Sequence, residues 1–422
     1  MEKLVINGNK PLNGEVYISG AKNSAVAIIP ATVLIAGKCT LKNLPHISDV
    51  IKYVDILEEL GAKIIWENKN TITIDTSNIN NFEAISDNVS KFRASYYLLG
   101  AFLSRFNHAK VGLPGGCSLG ERPIDQHLKG FEALSAKVFV SDYVEAKCDK
   151  LIGSRIFLDM ASVGATINIM LAATTAEGTT IIENAAKEPH IVDVANFLNT
   201  FGAKISGAGT SQIKIQGVSN FKNAGTYSIV PDQIETGTFM IAASKCGNVN
   251  IKNCIPKHME CLSAKLREMG VKVTEFSDSI KIESPENLKS SSIITAPYPG
   301  FPTDMQSQFG VLLTISNGSG KIIENIWDSR FRYIEELKKM GANVSISGNT
   351  ATFTGVDHLN GAKIHATDLR AGAALLIAGV FAEGITEIDN LSHIDRGYED
   401  IEGKFRSLGA DIKRINVEDN ND

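Results

Sequence analysis

Leu57-Glu58-Glu59-Leu60-Gly61-Ala62-Lys63-Ile64 carries a pattern, apolar-x-x-apolar-Gly-Ala-x-apolar, that returns with small variations over 131–138, 198–205, 266–273, 337–344 and 405–412. Its glycine place falls at 61, 135, 202, 270, 341 and 409, with Ser135 the one exception to glycine, so the steps are 74, 67, 68, 71 and 68 residues. A spacing that regular marks a sixfold repeat of one supersecondary unit. Within the phrase the apolar residues close an amphipathic helix, the glycine suits its C-terminal cap, and the following residues open a strand.

Each unit begins with a polar cluster and a run of small and aliphatic residues, as in 23–36, 232–243 and 368–381. These runs have apolar residues on too many faces for a surface helix and predict a buried one. A glycine turn and a β-branched strand such as Thr179-Thr180-Ile181-Ile182 follow, and the strand usually ends at asparagine: Asn43, Asn184, Asn253, Asn325 and Asn390. Alternating stretches such as Thr71-Ile72-Thr73-Ile74 supply further strands. The unit therefore reads α-β-α-β-β. Six units in 422 residues are too many for one core and predict two domains of three units each. The cut falls near Ser228-Ile229-Val230-Pro231, and the segment Leu4 to Ile18 joins the second group. That gives one domain from residues 1–21 plus 231–422 and another from 22–230. A chain that crosses twice between domains is expected to form a hinge and a cleft.

The balance of residues narrows the function. At 43% hydrophobic and 21% charged residues, with net charge −5 and no lysine or arginine block, the chain reads as a soluble globular protein. Nucleic acid and membrane surfaces are disfavoured as partners. Met1-Glu2-Lys3 is not followed by a signal-type apolar run, and the longest apolar helices are interrupted, as by Pro30, and too short to span a bilayer. Cys39, Cys117, Cys148, Cys246, Cys254 and Cys261 form no Cys-x-x-Cys pair and no zinc-like spacing with histidine, which reads as reduced cytoplasmic thiols and no metal. Neither a P-loop nor a Gly-x-Gly-x-x-Gly fingerprint occurs, so ATP and NAD are not implied and no cofactor is expected.

Units that share an architecture should differ most where one has acquired a task. The second unit departs from the template in Leu113-Pro114-Gly115-Gly116-Cys117-Ser118-Leu119-Gly120-Glu121-Arg122-Pro123-Ile124-Asp125, where Gly115 takes the asparagine place. Three glycines permit a mobile lid, and Arg122 is placed to stabilise a Cys117 thiolate. The same spacing suits a small buried cysteine beside a surface arginine; the glycine-rich flanks favour the exposed thiol.

The clusters that open the buried helices are a second constellation: Lys22-Asn23-Ser24, Lys91-Phe92-Arg93, Ser162-Val163-Gly164, Asp232-Gln233-Ile234-Glu235, Asp304-Met305-Gln306-Ser307 and Asp368-Leu369-Arg370. If equivalent helices run side by side, their N-termini share one end and attract phosphate or carboxylate. Ser162 and Asp232 alone read as ordinary caps. Lys22, Arg93 and Arg370 oppose the helix dipole and so call for an anion. With Arg122, Arg330 and Arg396 they suffice for a small, multiply charged substrate, although Arg396 beside Asp395 also fits a surface ion pair.

The Leu113–Asp125 loop, Lys22-Asn23, Ser162-Val163-Gly164-Ala165-Thr166, Pro302-Thr303-Asp304-Met305-Gln306, Asp368-Leu369-Arg370 and Asp395-Arg396-Gly397-Tyr398 together resemble the UDP-N-acetylglucosamine 1-carboxyvinyltransferase family of enolpyruvyl transferases, over essentially the whole chain. The sister enolpyruvylshikimate-phosphate synthases share the six-unit fold without the cysteine-bearing loop. The resemblance implies a two-domain inside-out α/β barrel with the active site in the interdomain cleft. It implies attack of the 3-hydroxyl of UDP-N-acetylglucosamine on C2 of phosphoenolpyruvate and loss of phosphate from a tetrahedral intermediate, the first committed step of peptidoglycan synthesis.

By the same resemblance, Cys117 serves acid chemistry at the phosphoenolpyruvate methylene and is the target of fosfomycin, and Asp304 is the base, with Lys22 and Arg396 also catalytic. Lys22, Asn23, Arg122 and Arg396 would hold phosphoenolpyruvate. Asn23, Arg93, Arg122, Pro123, Ile124, Asp125, His127, Ser162, Val163, Gly164, Asp304 and Ile326 would line the UDP-sugar site, supported by Arg330, Asp368 and Arg370. The oligomeric state is left open, a monomer being sufficient. Two positions depart from the family: Gln233 stands where arginine is usual, and Met160 where some members have lysine. They leave room for a UDP-sugar sensor or a transferase with another acceptor. Cys117, Lys22, Asp304 and Arg396 together favour the enzyme, since a pure binder needs neither base nor thiol. Cys117 is predicted to react with iodoacetamide faster at neutral pH than the other five cysteines, read by peptide mapping; an equal rate would remove the activated thiol.

Overall fold

A computed structural model of the chain describes residues 2–90, 92–113 and 124–416. The recurring phrase closes six amphipathic helices: Ser48–Glu59, Asp125–Ala133, Pro189–Thr200, Glu260–Glu268, Tyr333–Lys339 and Ile401–Ser407. At the first, the Gly61 N–H donates to the Glu58 carbonyl and the Ala62 N–H to the Leu57 carbonyl, both at 2.9 Å. This crossed pair is the Schellman cap, and it recurs at the other five helix ends. The cap requires a left-handed residue, and the five glycines have φ between +91° and +106°. Ser135 holds the same place at φ +74°, where its Cβ is strained.

The buried runs form six inner helices, labelled in chain order α1 (Lys22–Ala31), α2 (Tyr97–Phe106), α3 (Val163–Ala173), α4 (Gln233–Cys246), α5 (Gln306–Thr314) and α6 (Leu369–Phe381). Each is followed by the central strand of a four-stranded sheet, an outer helix and an antiparallel strand pair. Every sheet also has a parallel edge strand, which the α-β-α-β-β reading lacks. In four sheets it is only two or three residues long, as at Glu83–Ala84 and Ile293–Ile294, too short to show alternation. The repeat is thus β-α-β-α-β-β.

The described residues up to Ser19 and from Pro231 onward pack into one compact unit, and those from Gly20 to Val230 into the other. The strand before α1, Leu12–Tyr17, pairs in parallel with Gly247–Lys252 in the first of these units. Ala224–Ser228, the strand before α4, pairs in parallel with Lys38–Lys42 in the second. The N-terminal strand Glu2–Asn7 completes the last sheet, lying antiparallel between Ile385–Asp389 and Asp411–Asn416 with Leu4 opposite both Ile388 and Arg414.

Inside each unit three inner helices pack on one another beneath the apolar faces of three sheets, and residues such as Ile28, Phe102 and Met170, or Phe239, Leu312 and Leu376, have almost no exposure. Each such side chain contributes roughly 1.5–3 kcal/mol on burial, so packing rather than helix propensity holds the units. Close approach needs small residues: a Cβ on Gly100 of α2 would collide with the Asn168 carbonyl of α3. No helix among the described residues is long and apolar enough to cross a membrane.

Replacing Ser135 by glycine is expected to raise stability by about 0.5–1 kcal/mol, whereas Gly202→Ala should lower it by about 1 kcal/mol, both read from the urea unfolding midpoint.

Candidate functional site

In the unit from Gly20 to Val230, Lys22 starts α1 and its Nζ lies 3.0 Å from Oδ2 of Asp49, a carboxylate with only 3% side-chain exposure. The protein itself therefore supplies one anion for this cation, which the helix dipole alone did not foretell. Tyr53, on the same outer helix as Asp49, donates its hydroxyl to the Ala94 carbonyl at 2.8 Å and so fixes the turn Arg93–Tyr96 that leads into α2.

His127 lies in the outer helix that Ile124 caps. Asn168 of α3 accepts the Gly100 N–H on Oδ1 at 2.9 Å, which leaves its Nδ2 to donate to His127 Nδ1, also at 2.9 Å. The imidazole proton is thereby assigned to Nε2. A Cβ on Gly164 would come within 2.9 Å of that nitrogen, so the glycine of Ser162-Val163-Gly164 is required by the ring beside it. Burial lowers the His127 pKa to about 4, with the charge of Arg93 acting in the same direction and Asp125 opposing it. Arg93, Asp125, His127 and the start of α3 therefore share one neighbourhood. Ser162 Oγ caps α3 by accepting the Ala165 N–H at 3.3 Å, as an ordinary cap does. Gln126 donates to Asp125 at 2.9 Å and to Asp159 at 3.0 Å, next to exposed Met160.

In the other unit Asp304 sits on the turn Thr303–Met305 that leads into α5. Arg330 Nη2 donates to its Oδ1 at 2.6 Å and Arg370 Nη2 to its Oδ2 at 3.2 Å. Both arginines are 5% exposed and the carboxylate 30%. Burial works most strongly against the charged Arg370, but Asp304, Tyr398 and Asp232 together more than offset it and the net pKa direction is upward. Arg330 Nε and Arg370 Nη1 are buried without a hydrogen-bond partner among the described residues. Such donors cost about 1–3 kcal/mol each unless a ligand takes them up.

The supports of this group are polar and buried. Asp368 caps α6 by accepting the N–H groups of Arg370 and Ala371 at 2.9 and 3.1 Å. Glu324 accepts from Thr295 and Thr303 hydroxyls at 2.8 and 2.9 Å and from the Ile326 N–H at 2.8 Å, tying the Ile326 loop to the Asp304 turn. Asp395 does not depend on its neighbour Arg396 for a partner, since Arg414 grips both its oxygens at 2.8 and 3.1 Å. Half-buried Gln233 opens α4, which Asp232 caps at the Ile234 N–H, 2.7 Å away. Cys117, Arg122 and Pro123 lie outside the described residues. Among the described residues no group of three or more His, Cys, Asp or Glu side chains is arranged to hold a metal ion.

Asp49, Gln126, Asn168, Gln308 and Glu324 escaped the sequence reading. Each is a polar residue on an otherwise apolar or ordinary helical stretch, and only its partner, distant in sequence, reveals it.

The chain belongs to the EPSP synthase (3-phosphoshikimate 1-carboxyvinyltransferase) family, which it matches over residues 6–405. Its fold is that of the enolpyruvyl transferases. It is 57% identical over 418 residues to a UDP-N-acetylglucosamine 1-carboxyvinyltransferase of Clostridium botulinum, covering 98% of this chain and 100% of that one. It is 54% identical to UDP-N-acetylglucosamine 1-carboxyvinyltransferase 3 of Caldanaerobacter subterraneus subsp. tengcongensis, with 98% and 100% covered. The crystal structure of the enolpyruvyl transferase NikO from Streptomyces tendae superposes with TM-score 0.89 at 25% identity, over 99% of both chains. EPSP synthase from Acinetobacter baumannii shares the fold at TM-score 0.76 and 17% identity, over 99% of this chain and 100% of that one.

A histidine whose folded pKa is depressed binds its proton more readily when unfolded, so stability is lost as pH falls from 6.5 towards 4. For His127 that loss is about 3 kcal/mol. His127→Gln is expected to flatten the pH dependence of unfolding over that window, measured by urea titration at each pH.

Proposed function

We propose that this chain transfers the enolpyruvyl group of phosphoenolpyruvate to the 3-hydroxyl of UDP-N-acetylglucosamine and releases phosphate, the first committed step of peptidoglycan synthesis. The observation that carries this reading is the Asp304 carboxylate held between two buried guanidiniums, in a chain that matches transferases of that name from end to end.

Asp304 as a carboxylate is acceptor-only, and Arg330 and Arg370 each occupy one lone-pair direction on separate oxygens. Asp304 takes the proton of the sugar 3-hydroxyl as the oxygen attacks C2 of phosphoenolpyruvate. Cys117 supplies the proton at the methylene carbon, so that C2 becomes tetrahedral without a free carbanion. Lys22, Arg122 and Arg396, with Asn23, hold the phosphate and carboxylate of phosphoenolpyruvate, and cations fixed beforehand stabilise the charge that develops before phosphate leaves. Asn23, Arg93, Arg122, Pro123, Ile124, Asp125, His127, Ser162, Val163, Gly164 and Ile326 line the UDP-sugar site, with Asp304 at its reactive end. His127 serves there as a neutral Nε2–H donor, in keeping with its low pKa. A cytoplasmic setting belongs to this reading and is supported by free Cys39, Cys148, Cys246, Cys254 and Cys261.

Phosphate release is expected only when phosphoenolpyruvate and UDP-N-acetylglucosamine are both present, each being omitted in turn. Asp304→Ala should lower kcat at least about a hundredfold while the UDP-sugar Kd changes by no more than a few fold. UDP-sugar binding without phosphate release in the parent protein would turn the reading to a sensor.

A further inference from the structure

Tyr398 is buried, and its hydroxyl lies 2.9 Å from Thr238 Oγ1 and 3.3 Å from Gln308 Nε2. The direction of each hydrogen bond follows by elimination. Thr238 donates its one hydroxyl proton to the Ile234 carbonyl at 2.8 Å, so it can only accept from Tyr398. Gln308 accepts the Ser307 hydroxyl on Oε1 at 2.9 Å, which identifies its amide nitrogen, and that nitrogen donates to the Asp304 carbonyl at 3.1 Å as well as towards Tyr398. The tyrosine proton is therefore committed to Thr238. The phenolic oxygen turns its lone pairs outward as an acceptor, and the Arg370 guanidinium carbon stands 5.7 Å from the same ring's centroid.

We infer that Tyr398 is a positioning residue for the proposed reaction: its ring face lies against Arg370, which donates to the Asp304 carboxylate, and its hydroxyl, directed by Thr238, accepts from the Gln308 amide that also holds the Asp304 backbone carbonyl. The inference rests on the reading of Asp304 as the base. Tyr398 transfers no proton, because its own proton is committed to Thr238. A carboxylate oriented from both sides is worth most in the transition state, when the hydroxyl proton moves, and little to substrate affinity.

Tyr398→Phe keeps the ring and removes the acceptor. It is expected to lower kcat about tenfold or more, with KM for both substrates within about threefold. Thr238→Val deletes the group that directs the tyrosine proton and should lower kcat in the same way, whereas Thr238→Ser restores it and should match the parent. The Tyr398→Phe/Thr238→Val double variant should be no worse than Tyr398→Phe alone, since both act through one hydroxyl. Parent kcat in Tyr398→Phe, or a loss confined to KM, overturns the inference. If Tyr398→Phe does not fold, equal kcat in Thr238→Ser and Thr238→Val overturns it instead. Full turnover in Asp304→Ala would sink the underlying reading of the base, whatever the Tyr398 variants do, so the two failures are told apart.

Discussion

A helix buried along its whole length has only its ends to offer to solvent or ligand. That constraint governs both units of this chain. The inner helices are buried on nearly every face because sheets and sister helices surround them, so charged groups gather at the turns and caps where they begin. The three N-termini of a unit then bring fixed partial positive charge and free N–H groups to one end. In the unit that contains α4 to α6 that end is shared in fact: Arg370 at the start of α6 meets Asp304 before α5, and Tyr398 binds Thr238 of α4 and Gln308 of α5.

Cations at such ends oppose the dipole, and the two units answer this differently. Lys22 meets a buried carboxylate, Asp49. Around Asp304 two almost wholly buried guanidiniums share one carboxylate. Two of the guanidinium donors, Arg330 Nε and Arg370 Nη1, have no hydrogen-bond partner among the described residues, and an unpaired buried donor costs about 1–3 kcal/mol. Donors left over in this way are available to an anionic or hydroxyl-bearing ligand.

Much of the fold was written in the sequence because it depends on short-range rules. The Gly-Ala phrase specifies a Schellman cap through glycine's left-handed freedom, and five of six copies keep the glycine. Four of the five asparagines that end the strands are left-handed as well, and Asn43, Asn184 and Asn253 use their side-chain amides to hold carbonyls of the parallel neighbour's end. Asn325 is not left-handed, and its role passes in part to Glu324. What escaped was anything set by distance. Two-residue edge strands carry no period, and Asn168 or Gln308 looks like a flaw in an apolar helix until His127 or Tyr398 is placed beside it. The cations stood out because they violate a local preference; the groups that aim them do not.

The same distinction explains why the repeat does not fold as six beads. The strand before α1 joins the sheet that follows α4, and the strand before α4 joins the sheet that follows α1. Leu12 pairs with Gly247 and Lys38 with Ala224, so neither of these two sheets is built from a single repeat. The strand Glu2–Asn7 adds a third such link, to a sheet whose other members come from the last sixty residues or so. Pairings across such separations are entropically late and slow to form, whereas the Schellman-capped helices close locally. Ser19 is held at the end of one long-range link by both oxygen and nitrogen: its N–H donates to buried Glu235 at 2.8 Å and its hydroxyl accepts from Lys404 at 2.7 Å. Lys404 also pairs with Glu235 and partly offsets the burial that raises this carboxylate's pKa. The exchanged strands thus place the openings of α1 and α4 immediately after sheet edges that only long-range pairing can fix. The helix ends that carry Lys22 and Asp232 are set by global topology rather than by their own local sequence.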